Sequence, residues 1–294
     1  MTTFKEIVAK HNSGHIHALL GNGFSRACKN DIFSYDALFE RADFSGLSDH
    51  CKGAFEALGS TDFEFVIKSL QQAASLINLY RSDQKNLAEV LASDALKLRE
   101  VLVSAIAGSH PNWPGEISNA AYASCKTFLA NFERVYTLNY DLLLYWAYMQ
   151  DEIVPQLDCD DGFRKPYTGR EEYVSWEVEN SHKQKLYYLH GGLHLFDSGD
   201  ELQKYTWVNT GLRLTEQVRD ALAHGKYPLF VSEGSSEQKL ERIKHSGYLH
   251  RALANLPSIG SLLVAYGVSF AENDEHILRL IENGKVTTLA VGIY

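Results

Sequence analysis

The chain has 294 residues and a formal net charge of −9, with 22 % of residues charged and 45 % hydrophobic. Such a length can bury one large α/β core, and an acidic balance offers no broad face to a nucleic-acid backbone. No apolar stretch is long enough to cross a bilayer and residues 1–10 lack the apolar centre of a signal peptide, so a cytoplasmic protein is expected.

In chain order, the pattern predicts a short helix over residues 3–10, a strand over 15–20 and then a glycine loop. Apolar residues at helical spacing begin at Asp62 (Phe63, Val66, Ile67, Leu70, Ala74, Ile77) and recur over 86–107. The prolines at 111 and 114 end that helix. Residues 30–112 therefore read as a helical insertion. Strand and helix then alternate: helix 117–131, strand 134–138, helix 142–149. Residues 158–181 read as loop with a small hairpin at 173–178, followed by a strand over 185–189. Beyond it come strand 228–232, helices 235–244 and 248–256, strand 261–266, helix 273–283 and a last strand over 286–294. The expected fold is α/β, a single domain built on a doubly wound, mostly parallel Rossmann-like sheet. The pattern stops inside an apolar strand, as a chain truncated at its C-terminus would. Cys28, Cys51, Cys125 and Cys159 form no C-x-x-C pair and read as reduced thiols.

Three polar motifs directly follow three of the buried strands: Gly21-Asn22-Gly23-Phe24-Ser25, Thr137-Leu138-Asn139-Tyr140-Asp141 and His190-Gly191. In an open parallel sheet, ligands bind outside the strand carboxyl ends. The glycines suit a phosphate-cradling turn with φ > 0, although any tight turn after a strand uses the same residues. Arg26 stands where a dehydrogenase fingerprint needs its third glycine, which argues against an NAD-dependent oxidoreductase. Asp141 can cap the next helix, whereas Asn139 can both donate to and accept from a ribose diol or a water. His190, beside two glycines at a strand mouth, fits a general base as well as a satisfied core histidine. His194 raises a metal reading with His190, but no third ligand stands at a recognisable spacing, so no metal is expected. A fourth strand-end segment, Tyr266-Gly267-Val268-Ser269-Phe270, is followed by Asp274 and His276. It is placed to meet the adenosine half of a dinucleotide.

Taken together, GNGFS, TLNYD, HG and YGVSF with DEHI resemble the SIR2-like families of bacterial anti-phage defence proteins, and GNGF also resembles the AbiH-type abortive-infection family. The resemblance spans residues 15 to about 280. It implies a SIR2-like fold and an NAD⁺ glycohydrolase that depletes NAD during infection. In that superfamily the glycine loop holds the diphosphate, the motif's Asn contacts the nicotinamide ribose or its water, the Asp lies near the nicotinamide, and the His is the base. Carried over, Asn139 and His190 are catalytic, and Gly21, Asn22, Gly23, Phe24, Ser25, Tyr140, Asp141, Gly267 and Ser269 bind NAD⁺, the substrate. Protein-deacylating sirtuins carry a Cys₄ zinc ribbon and a G-A-G-x-S loop; this chain has neither, with Asn22 in place of the alanine. The alternative expectation is a non-catalytic module that binds NAD or ADP-ribose. The implied partners are a second copy of the chain or a defence-system protein such as an ATPase, with the helical insertion as the docking surface.

Overall fold

The computed structural model describes residues 2–11, 15–29, 39, 42–48, 50–61, 63–107, 110–165, 173–205, 213–231 and 235–292. Asp62, parts of the stretch 30–41 and residues 293–294 of the expected last strand lie outside these. The first half comprises α1 (Phe4–Lys10), β1 (Ile16–Leu20), α2 (Asn22–Cys28), α3 (Cys51–Ala57), α4 (Phe63–Tyr80), α5 (Lys85–Ala107), α6 (Asn119–Leu129), β2 (Arg134–Thr137) and α7 (Leu143–Tyr148). Next come β3 (Phe163–Arg164), β4 (Tyr173–Trp176), β5 (Leu186–Tyr188), β6 (Gly191–Asp197), β7 (Leu202–Tyr205), α8 (Leu214–Ala223) and β8 (Tyr227–Phe230). The chain closes with α9 (Ser236–His245), α10 (Gly247–Asn255), β9 (Gly260–Tyr266), α11 (Glu275–Glu282) and β10 (Lys285–Val291).

Five of these strands form an all-parallel sheet in the order β10-β9-β1-β2-β5. Renumbered along the chain, this is the Rossmann order 3-2-1-4-5, with its switch point between β1 and β9. Every residue of β1 is buried, as expected for a central strand covered on both faces. Successive side chains alternate across the sheet. Ile16, Leu262 and Val264 meet Phe4, Ile7 and Val8 of α1, whereas Leu19 and Leu263 belong to the main core on the other face.

A second five-stranded sheet, antiparallel and ordered β3-β4-β7-β6-β8, corrects the expectation of one sheet. The strand expected at 228–232 pairs in this sheet and not in the parallel one, and β6, β7 and α8 were not legible as elements. The 173–178 segment is a strand, but it pairs with β3 and β7 and makes no hairpin of its own. The reason is length and composition: β3 has two residues, β7 reads LQKY, and β6 opens on two glycines. Neither strand alternation nor an apolar run survives in such segments.

At the switch point the chain tolerates only glycine. A Cβ on Gly23 would lie 2.5 Å from the Gly267 Cα, and one on Gly21 would collide with the Gly267 carbonyl. Gly267 itself has φ +67° and a Cβ there would meet Gly23 Cα and the Phe24 amide nitrogen at 2.5 Å. Gly21 and Gly23 do not have positive φ, contrary to the turn expected of them. They serve close approach. Gly267→Ala should cost ~2–5 kcal/mol, combining left-handed strain of ~1–2 with overpacking of ~1–3. Gly199→Ala, at φ +94° with open space around it, should cost only ~1–2 kcal/mol. Equal midpoints for the two variants in urea unfolding would refute the crossing constraint.

All four cysteines are free thiols. The core also encloses His17, His110 and His194, at 3 %, 6 % and 0 % exposure. Burial pushes His17 down to about 4, and lowers His110 and, strongly, His194. A histidine whose folded pKa lies below its unfolded value of 6.5 favours folding fully above that value. That stability is lost as pH falls below it, because protons bind the unfolded chain first. The unfolding midpoint should therefore drop between about pH 7.5 and about pH 5, with net proton uptake on unfolding, measured by calorimetry in buffers of different ionisation enthalpy. A level midpoint would show that these rings are charged inside the fold.

Candidate functional site

The polar strand ends meet at a cavity of about 590 Å³ beside the switch point, a size usual for small-molecule sites. Its wall includes Gly21, Asn22, Gly23, Asn139, Tyr140, His190, Gly267 and Ser269. Phe24, Ser25 and Asp141, expected among the ligand contacts, do not line it. Adjacent helical residues point about 100° apart, so Phe24 turns into the core, with ring centroids 6.2 Å from Phe128 and 6.4 Å from Tyr266. Ser25 and Asp141 lie beneath the floor at 0 % and 1 % exposure.

That floor is a chain of hydrogen bonds. Ser25 Oγ donates to Asp141 Oδ2 at 2.5 Å, and Asp141 Oδ1 accepts from the Leu143 amide at 2.7 Å. The carboxylate thus tethers the α7 start, as a capping residue would, and holds α2 as well. Asn139 Nδ2 donates to Ser25 Oγ and to the Gly21 carbonyl, both at 3.0 Å. With both amide hydrogens committed, Asn139 offers a ligand its Oδ1 acceptor, and not the donor-and-acceptor pair expected of it.

The glycine amides are also committed. Gly21 N–H donates to the Tyr266 carbonyl and Gly23 N–H to the Gly267 carbonyl, each at 3.0 Å. These two amides lace the β1 and β9 loops together and do not point at a ligand diphosphate. The cations on the cavity wall are Arg26 and Lys239.

His190 sits between β5 and β6, 3 % exposed. Its Nε2 lies 3.3 Å from Nε2 of His276. Burial pushes its pKa down to about 3, with Lys239 and His276 adding to the fall and Asp274 opposing it. The ring is neutral at physiological pH. His276 is lowered too, chiefly by burial, and its Nδ1 lies 3.0 Å from Ser236 Oγ. Lys239 Nζ, 4 % exposed, is held 2.8 Å from Asp274 Oδ1.

Sequence reasoning noted Asp274 and His276 beside the fourth strand but gave them no role, and missed Ser236 and Lys239. Helix α9 reads as a solvated SEQKLERIKH face, so no local signal marks Lys239 as buried. His194 does not join His190: its ring stacks on Tyr145 at 4.9 Å and meets the edge of Tyr188 at 5.0 Å. Among the described residues, the group able to gather round a metal ion is His190, Asp274 and His276. No helix of the described residues is long and apolar enough to cross a membrane.

Ser25→Ala should leave the Asp141 carboxylate and the Asn139 amide each short of a buried partner. A destabilisation of ~1–3 kcal/mol follows in chemical denaturation, and less than about half of that would show that the floor is not a connected network.

No curated protein matches the chain. Residues 18–294 match the family described as domain of unknown function (DUF4917), and the chain belongs to that family.

Proposed function

We propose that this DUF4917 member is an NAD⁺ glycohydrolase that cleaves NAD⁺ to nicotinamide and ADP-ribose. The observation that carries the reading is convergence. Motifs spread along the chain from Gly21 to Ser269, each after its own parallel strand, contribute Asn139, His190 and the two glycine loops to one cavity at a Rossmann switch point. The resemblance of those motifs to SIR2-like defence proteins supplies the chemistry. Nicotinamide leaves as a neutral molecule from a cationic ring, so the C1′–N bond breaks with its electron pair going to nicotinamide and no general acid is required. Dipoles aimed at the oxocarbenium-like state lower that barrier. A water accepted by Asn139 Oδ1 adds to C1′, and its proton passes to His190 Nε2 once His276 gives way.

The NAD⁺ diphosphate is assigned to Arg26 and Lys239 in place of the spent glycine amides, and the adenosine half to the Gly267–Ser269 loop. NAD depletion in bacterial anti-phage defence, cytoplasmic location and an assembly with itself or with a partner such as an ATPase complete the proposal. Leu76, Leu79 and Tyr80 of α4 and Leu96 of α5 are more than half exposed, which supports the helical insertion as the docking surface.

A second reading has its own support. His190 Nε2 faces His276 Nε2 at 3.3 Å, as in a module that binds NAD or ADP-ribose without hydrolysing it. Incubating the purified chain with NAD⁺ and following nicotinamide by chromatography decides between them. His190→Ala and Asn139→Ala should each lower release by ~10²-fold or more while the variants stay folded. Wild-type rates in either variant would remove that residue from catalysis. Silence from all three proteins, with NAD⁺ binding intact by calorimetry, would favour the binding module.

A further inference from the structure

Two imidazoles whose Nε2 atoms face each other at 3.3 Å can share only one proton between two lone pairs. Their separation matches another occupant. Metal–nitrogen bonds of ~2.0–2.1 Å in a tetrahedral zinc site place neighbouring donor atoms ~3.3–3.4 Å apart. His276 is also held through its other nitrogen, with Nδ1 lying 3.0 Å from Ser236 Oγ. Ser236 Oγ is fixed in turn by the His276 backbone amide, which donates to it at 2.8 Å. A ligating histidine is oriented by such an outer bond. Asp274 Oδ1 lies 3.9 Å from His190 Nε2, and one ligand atom from each of the three residues falls within 4.8 Å of the other two. His190 and Asp274 line the 590 Å³ cavity, so a fourth position would open into it.

We propose that His190, His276 and Asp274 form a binding site for a divalent transition metal of the zinc class, and that the metal silences the site by occupying the His190 lone pair. Metal binding is independent of the enzymatic reading; the silencing rests on it. Two nitrogen donors and one carboxylate select zinc and its neighbours over magnesium or calcium. On binding, the cation takes both Nε2 lone pairs and a carboxylate oxygen, and the proton between the rings moves by way of solvent to Nδ1 of the ring that carried it, so both imidazoles stay neutral. Lys239 opposes it, since its ammonium holds the same Asp274 oxygen at 2.8 Å. The cluster is therefore a site under electrostatic competition, and removing that charge should strengthen it.

The test titrates zinc chloride into the metal-stripped 294-residue chain by calorimetry, with magnesium chloride alongside. One saturable zinc site per chain is expected, with no magnesium binding in the same range. His276→Ala should weaken zinc at least ~100-fold, Ser236→Ala ~10–100-fold, and Lys239→Met should tighten it at least ~10-fold. Should His276→Ala fail to fold, cobalt(II) added to the wild-type chain gives a second measurement, because tetrahedral ligation brings strong visible absorption. No saturable site, equal affinity in His276→Ala, or weaker binding in Lys239→Met would each overturn the metal site. Nicotinamide release should fall in proportion to zinc occupancy and return with chelator. Zinc binding in a chain that releases no nicotinamide even with chelator would leave the site standing and sink the enzymatic reading. Release that zinc leaves unchanged at full occupancy would sink the silencing.

Discussion

The architecture depends on one constraint: at the switch point of the parallel sheet, two backbones cross with no room for a Cβ. Gly21 and Gly23 abut Gly267, and the crossing is tied by two amide–carbonyl bonds of 3.0 Å. Because side chains are excluded there, the β1 and β9 loops form a continuous wall on which a ligand can rest. Widening that approach by one methyl group would part α2 from the β9 loop, and Ser25 on α2 carries both the Asn139 amide and the Asp141 carboxylate. The packing of three glycines therefore sets the placement of a side chain that lies more than a hundred residues away.

Electrostatics shapes the opposite wall. His190, His276, Lys239 and Asp274 are drawn together from the β5–β6 junction, α9 and the α11 entry, in a region almost closed to water. Burial keeps both rings neutral, and the one carboxylate is spent on the lysine. A neutral imidazole with a directed lone pair can take a proton or a metal. Which of these it takes is a competition decided by the charges around it.

The parallel sheet was legible because each of its inner strands is a short apolar run followed by small polar residues, and the strand-end motifs marked the cavity for the same reason. The antiparallel sheet was not legible: Lys204 and Gln203 on β7 are buried polar residues, and their pairing depends on partners distant in sequence, such as Asp161. Within the site, a motif tells which residues sit at a strand end but not which way they turn. Asn139 and Gly23 line the cavity while Ser25 and Asp141 support it from below. Lys239 and Ser236 were invisible because a buried lysine and a buried serine on a polar helix look, in sequence, like solvated ones.

The place of His190 in the chain has a mechanical consequence. Only Leu189 and His190 separate β5 of the parallel sheet from β6 of the antiparallel one. The Leu189 amide is fastened to the Thr137 carbonyl on the first sheet, and the His190 carbonyl to the Val231 amide beyond β8, which pairs in the second. The imidazole is therefore mounted on the coupling between two rigid plates. A sliding of one plate against the other would turn the ring as a lever turns on its pivot, and the Leu193 amide of β6, bonded to the Tyr140 carbonyl, would carry the motion into the loop that holds Asn139.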